Sequence, residues 1–420
     1  MREDFSRLIQ IAIQHTRWRG SCINLIASEN VMSLSVREAL ASDFAHRYGS
    51  LKGLRGVTSY QSYTGTRYIV KVYNNAVYLA KKLFQAGFVD LRPLSGNIAD
   101  VSVLLSLTKP GDTVLNTAYL DGGHTNYMVE GFKVSPSLQR RYKPLPFDAE
   151  GLNIDVDKAC KVITAEKPRL LILGTSFMLF PQPVKELAEA AKAVEAHVAY
   201  DGAHVLGLIA GGEFQDPLRE GAEILMGSTH KTFPGPQGGF IGSNTATVFR
   251  KVAGVVYPPM HDNFHYNRIH AMALALSEML AFGKPYARQV VANAKALAES
   301  LCKRGFRVLG ENLGFTRSHI VRIDLSKEGG SIKGLKLLEK ANLIASPSPV
   351  PGDRLGKPLS GLRLGTSEAT RLGMKEEHMD VVAEFIESVL LRGLNPTQVS
   401  TKAASFKKGF QTVHYCFDNP

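Results

Sequence analysis

Arg169-Leu-Leu-Ile-Leu-Gly174, then Pro183 to Val194, then His197-Val-Ala-Tyr-Asp201: the reading of this stretch decides the fold. The first run is short, apolar and bounded by glycine, the pattern of a strand buried on both faces. The middle run is rich in Ala, Glu, Lys and Val and reads as a helix. The third returns to a strand pattern. Strand, helix, strand over about thirty residues is a βαβ unit, which implies a mainly parallel sheet covered by helices. The same alternation extends outward, with Ile69 to Ala86 as a helix and Gly111-Asp-Thr-Val-Leu as a turn into a strand. An α/β architecture follows for residues from about 66 to 245.

On either side the pattern changes. Residues 1–50 form an N-terminal arm, opened by a helix that repeats Phe5, Leu8, Ile9 and Ile13 at helical spacing. Residues 51–256 make the large domain, entered through a Gly- and Tyr-rich loop from Gly49 to Gly65. Residues 257–392 read as a smaller α+β domain. Its long helical stretch, His270 to Arg304, is expected to break at Gly283-Lys-Pro, because proline removes a backbone donor. Strands follow around Arg307-Val-Leu and Ser318-His-Ile-Val-Arg-Ile, then a helix from Lys375 to Leu391. Residues 393–420 form a tail with one short helix.

The chain has 420 residues and a formal net charge of +12, which invites a nucleic-acid reading. Its basic residues are scattered, without a Lys/Arg block or a zinc-finger or RNP-type signature, so no nucleic-acid partner is expected. Cys22, Cys160, Cys302 and Cys416 stand far apart, which suggests neither a disulfide framework nor a metal site. The charged start, Met1-Arg-Glu-Asp, lacks a signal-peptide core, and no apolar run reaches the ~20 residues of a membrane span. A cytoplasmic protein with no membrane partner is expected.

Chemistry concentrates in Ser228-Thr-His-Lys231-Thr-Phe-Pro-Gly-Pro-Gln-Gly-Gly239. An apolar run, Ala222-Glu-Ile-Leu-Met, delivers Lys231 into a loop of Gly and Pro. A desolvated lysine loses its proton more readily and becomes an amine nucleophile, although taken alone it also reads as a surface lysine in a turn. Asp201, ending the strand thirty residues upstream, falls at the C-terminal edge of the sheet, where open α/β folds bind ligands. A carboxylate there can keep a pyridinium nitrogen protonated; alternatively it is a turn former. His204 lies close enough in sequence to approach the same ring. Ser95, Gly96 and Asn97 precede a helical pattern and would offer backbone N–H groups to a phosphate, or serve as ordinary caps. His124, after Asp121-Gly-Gly, is either a stacking imidazole or a structural one. Arg363, between apolar neighbours in Ser360-Gly-Leu-Arg-Leu-Gly-Thr, wants an anion: a substrate carboxylate or an internal salt bridge.

Together these segments resemble serine hydroxymethyltransferase, a fold-type I pyridoxal 5'-phosphate (PLP) enzyme, over nearly the whole chain. The resemblance runs from Asn24-Leu-Ile-Ala-Ser-Glu-Asn through Asp201-Gly-Ala-His-Val-Leu-Gly and Ser228-Thr-His-Lys-Thr to Arg363-Leu-Gly-Thr. His46-Arg-Tyr and Phe214-Gln-Asp-Pro-Leu-Arg-Glu-Gly-Ala-Glu are closest to the archaeal branch. The resemblance implies a sheet of seven strands, Lys231 as the Schiff-base lysine and Asp201 as the partner of the pyridine nitrogen. It implies His124 stacked on the ring, Ser176 beside the phenolic oxygen, and Ser95, Gly96, Asn97, Ser228 and His230 around the phosphate. Arg363 and Ser28 would bind the amino-acid carboxylate. Tyr48 and Tyr63 match two tyrosines that reach in from a neighbouring subunit, so a homodimer or tetramer with shared sites is implied.

The sequence departs from that family on the pterin side. Where the family carries a glutamate just after the first tyrosine, no Asp or Glu occurs between Asp43 and Asp90, while Lys52 and Arg55 appear. The folate-side loop becomes Ala345-Ser-Pro-Ser-Pro-Val-Pro, and a glycine pair is replaced around Tyr257-Pro-Pro. Gly235-Pro-Gln, Leu313-Gly-Phe-Thr-Arg-Ser-His and Tyr415-Cys-Phe-Asp-Asn also resemble the threonine transaldolases. The expectation is a PLP-dependent aldol and retro-aldol enzyme that cleaves threonine or serine and passes the glycyl unit to an aldehyde. Pterin-dependent hydroxymethyl transfer between serine and glycine is the alternative. A racemase, a decarboxylase or an inactive homologue stands behind both.

Overall fold

The computed structural model describes residues 2–49, 63–124 and 139–419. They divide into two units, one of Ser28–Arg288 with Tyr415–Asp418, the other of Met1–Ala27 with Gln289–His414. The chain opens in the second unit with helix α1 (Arg2–Ser21). The amphipathic repeat forms the expected helix, yet none of its residues is buried, and Phe5 and Leu8 are each 66% exposed.

The larger unit is built on a seven-stranded sheet. Its strands are β1 (Phe88–Asp90), β2 (Thr113–Asn116), β3 (Arg141–Pro144), β4 (Leu170–Leu173), β5 (His197–Asp201), β6 (Ile224–Ser228) and β7 (Gly239–Ser243). Their spatial order is β1-β7-β6-β5-β4-β2-β3. Only β7 runs antiparallel to its neighbours. That exception has a physical cause: Thr229–Gly238 is too short for a crossover helix, so the strand after it must turn straight back. Every residue of β4 and of β6 is buried, as parallel strands covered on both faces require. In the β5–β6 register Asp201 lies opposite Met226, so both strands end at one edge of the sheet.

Helix α2 (Arg67–Phe84) buries Ile69, Tyr73, Ala76, Ala80 and Phe84, one stripe at spacings of three and four, and stops where Gln85 turns left-handed (φ 47°). Helix α3 (Gly96–Leu107) starts at the same sheet edge as Asp201's neighbours, capped by the Ser95 hydroxyl, which accepts from Ile98 N at 3.1 Å. Helix α4 (Val184–Ala193) is the crossover between β4 and β5. Helix α5 (Tyr266–Lys303) corrects one expectation: it runs unbroken through Gly283-Lys-Pro285. An interior proline costs about 3 kcal/mol. Here the following turns bury Tyr286, Ala287 and Val290 completely, and burial of that face outweighs the lost hydrogen bond.

The smaller unit carries a four-stranded antiparallel sheet of β8 (Arg307–Val308), β9 (Ile320–Asp324), β10 (Ser346–Ser348) and β11 (Gly361–Gly365), ordered β8-β9-β11-β10. The Pro-rich segment at Ala345 thus contributes a strand, and Pro347 is tolerated because β10 lies at the edge. Helices α6 (Glu376–Leu390) and α7 (Pro396–Lys407) belong to this unit, whose core includes Leu297, Leu301, Val321, Leu362 and Ile386.

Candidate active site

The turn after β6 fixes the backbone that carries Lys231. Thr229 N donates to Gly238 O (3.1 Å), its hydroxyl donates to Pro236 O (2.6 Å), and Gly235 N returns to Thr229 O (2.9 Å). The next residue, Thr232, is completely buried; its hydroxyl donates to His204 O at 2.8 Å and accepts from Gly207 N at 3.0 Å. Asn30 Nδ2 donates to Lys231 O at 2.7 Å, and Tyr286 OH donates to Thr232 O at 3.0 Å. The backbone carbonyls of the lysine and of the residue after it are therefore held, and the lysine side chain is half-buried. Sequence reasoning missed Thr232, Asn30 and Tyr286. Asn30 ends the quoted Asn24–Asn30 motif, and that was the available signal.

Asp201 is 8% exposed, and its Oδ1 accepts from Ala203 N at 2.9 Å. Gly174 makes room for it: in a left-handed conformation (φ 102°), a Cβ there would come within 2.0 Å of Asp201 O. His124 sits on a similar close approach. A Cβ at Gly123 would meet Thr117 O at 1.8 Å, and Ser176 N donates to Gly122 O at 2.7 Å, tying the Ser176 turn to the His124 turn. His124 Nδ1 lies 4.0 Å from Asp100 Oδ2. Burial pushes the His124 imidazole below its ordinary pKa; Asp201 opposes this and Lys231 adds to it. Asp201 and Lys231 thus both act on the His124 ring. A neutral ring is the form suited to stacking.

A second cluster faces the start of α3. A Cβ on Gly96 would stand 2.3 Å from Ser228 Oγ, and one on Gly239 would stand 2.3 Å from Ser95 O. Gly239 N donates to Pro93 O at 2.9 Å. Two glycines thus bring the Pro93–Asn97 turn against the end of β6. Burial and the neighbouring Lys231 push His230 down to about 4, and its buried Nδ1 has no hydrogen-bond partner among the described residues. Helix-start N–H groups and hydroxyls in a cradle that a methyl group would fill make a donor set suited to a phosphate.

Tyr48 and Tyr63 come together, 47% and 43% exposed, with ring centroids 5.4 Å apart. Lys52 and Arg55 lie outside the described residues. Ser28 is half-buried at the start of the larger unit. Arg363 is half-buried on β11 of the smaller unit, where its Nε donates to Ser346 Oγ at 3.2 Å.

A seven-stranded, mainly parallel sheet with this lysine and carboxylate on adjoining strand ends defines a fold-type I, PLP-dependent enzyme, and the residues present fit that cofactor. The family model for serine hydroxymethyltransferase matches residues 3–386. A serine hydroxymethyltransferase of Methanocaldococcus jannaschii is 46% identical over 416 residues, covering 97% of this chain and 95% of that one. Another, from Pyrococcus horikoshii, is 43% identical over 425 residues, covering 99% and 98%. The crystal structure of L-threonine transaldolase from Pseudomonas fluorescens, in an internal aldimine state, superimposes with a TM-score of 0.89 at 30% identity, covering 100% of this chain and 96% of that one. The chain belongs to the serine hydroxymethyltransferase family. It is a PLP-dependent enzyme of the hydroxymethyltransferase and aldolase type. Among the described residues, no helix is long and apolar enough to cross a membrane.

Proposed function

We propose that the protein cleaves a β-hydroxy amino acid, threonine or serine, by a retro-aldol step and passes the glycyl unit to an aldehyde without a pterin. One observation carries this reading: no carboxylate occurs from Phe44 to Val89, where the family places the glutamate that handles protons beside the pterin. The likeness to a threonine transaldolase structure supports it. PLP, when bound, supplies an aldehyde that condenses with amines and a ring that takes up the electron pair released at the α-carbon.

The chain's own residues do the rest. Lys231 would provide the amine that holds the cofactor. Asp201, nearly fully buried, keeps a proton on the pyridine nitrogen. His124, held neutral by burial, would stack on the ring, and Ser176 would neighbour the phenolic oxygen. Ser95, Gly96, Asn97, Ser228 and His230 bind the phosphate. Arg363 and Ser28 bind the substrate carboxylate, which fixes the scissile bond's orientation. His124, His204 or a tyrosine, Tyr48 or Tyr63 from a second subunit, takes the hydroxyl proton in place of the glutamate. The exposed apolar side chains of α1 and the two exposed tyrosines support a homodimer.

The names of the relatives favour a second reading, serine–glycine hydroxymethyl transfer with a folate or other tetrahydropterin. One assay separates the two. The enzyme is incubated with L-threonine or L-serine, with and without tetrahydropterin, and glycine and free aldehyde are measured. Acetaldehyde released from threonine, and increased by an added aldehyde acceptor, is the expected result. Strict pterin dependence with serine would remove the proposal.

A further inference from the structure

Beneath the cradle lies an arginine that no step above uses. Arg268, in the first turn of α5, is 5% exposed. Its Nη2 donates to Leu91 O (2.8 Å), Arg92 O (3.1 Å) and Phe264 O (3.1 Å). Among the described residues, its Nε and Nη1 are buried without a hydrogen-bond partner. Nη1 occupies the space that a side chain on Gly238 would need, 2.6 Å from a Cβ built there, with Thr229 Oγ1 at 3.1 Å from the same point.

The charges around it do not balance. Asp90 is engaged by Arg92, whose Nε and Nη2 reach its two carboxylate oxygens at 2.9 and 2.5 Å. Among the described residues that leaves two buried guanidinium ions against one buried carboxylate; the other nearby acid, Asp262, is exposed and accepts a hydrogen bond from Tyr257. The surrounding Tyr73, Tyr257 and Tyr266 stay neutral because burial pushes their phenols up. His261 stays neutral because burial pushes it down. Burial lowers Arg268 itself to about 10, which still leaves it charged at neutral pH. A buried cation with unsatisfied donors and no anion of its own is strongly unfavourable, unless an anion completes the site.

Both segments that Arg268 touches lead directly into the phosphate cradle. Leu91–Arg92 runs on into Pro93–Asn97, and Gly238 runs on into Gly239, whose N–H bonds back to Pro93 O. We infer that Arg268 is a positioning residue for the cofactor phosphate: it fastens the two turns of the cradle together, and its buried charge is balanced by the phosphate dianion. This rests on the proposal that Ser95–Asn97 and Ser228 hold that phosphate.

The test compares PLP with pyridoxal, which lacks the phosphate. Full-length apoprotein is titrated with each, as wild type, Arg268→Met and Arg268→Lys. R268M is expected to weaken PLP binding by about tenfold or more, the loss of one charge-assisted contact, while pyridoxal binding changes by less than about twofold. R268K keeps the charge but loses the fork that spans three carbonyls, so its loss is smaller and again confined to PLP. Inorganic phosphate should raise the melting temperature of wild-type apoprotein more than that of either variant. Equal losses for both ligands would reduce Arg268 to a purely structural part, and no loss for either would remove it; both results overturn the inference. Where R268M does not fold, R268K decides by the same comparison. A wild type that binds pyridoxal as tightly as PLP would overturn the cradle itself, and the inference with it.

Discussion

Replacing Gly96 by alanine tests the cradle at its narrowest point. The added Cβ would stand 2.3 Å from Ser228 Oγ and 3.4 Å from Ser228 Cβ and N. Ordinary carbon contacts fall at about 3.5–4.0 Å, so the hydroxyl must withdraw by about 1 Å or more while the backbone atoms barely need to move. Because the clash falls on the end of a side chain, the fold survives and the hydroxyl rotates out of the cradle. On the proposed phosphate site, one hydrogen bond to a charged phosphate is then lost, worth about 1.5–3 kcal/mol. That is about 10- to 150-fold in the PLP dissociation constant. The assay is a cofactor titration of four proteins: wild type, Gly96→Ala, Ser228→Ala and the double variant. Since each single change removes the same hydroxyl contact, the double variant should bind no more weakly than S228A, a non-additivity equal to the single loss. Wild-type affinity in G96A, or losses that simply add, would refute the reasoning.

Gly123→Ala should be more damaging to the fold, because its Cβ would meet a backbone oxygen, Thr117 O, at 1.8 Å. A stability loss of about 3 kcal/mol in urea unfolding is expected, with loss of cofactor binding as His124 moves. Thr232→Val leaves Gly207 N without its acceptor and removes the bond to His204 O; the expected loss is about 1–3 kcal/mol, and an unchanged urea midpoint would argue against it. His230 sets a pH dependence in the apoprotein. Its folded-state pKa of about 4 lies below the ordinary 6.5, so the unfolded chain binds the proton first. Stability is full above pH 6.5 and falls as the pH drops through 4, by about 3 kcal/mol in total. His230→Asn should flatten that part of the profile, and an unaltered slope would show that His230 is not its source.

The parts of the fold legible in the sequence were those whose side chains repeat with a period. Arg169-Leu-Leu-Ile-Leu and His197–Asp201 read as strands because parallel strands bury both faces, and α2 read as a helix because its buried stripe recurs every three or four residues. The break expected at Gly283-Lys-Pro failed because a local cost was weighed without the burial that follows it at Tyr286 and Ala287. Short strands gave no period to read, and β10, with a proline at its centre, looked like a loop. Within the site, Lys231 and Asp201 were visible because each ends or follows a buried strand. Thr232, Asn30, Tyr286 and Arg268 were not, since each acts on backbone atoms far away in sequence, a relation that no spacing encodes.

Lys231 is the expected point of cofactor attachment. Apoprotein is incubated with PLP, reduced with borohydride, digested and mapped by mass spectrometry. A single pyridoxyl adduct, on the peptide carrying Lys231, is predicted, and Lys231→Ala should abolish it without unfolding the protein. An adduct on another lysine, or a protein that stays colourless and unmodified, would contradict the central claim.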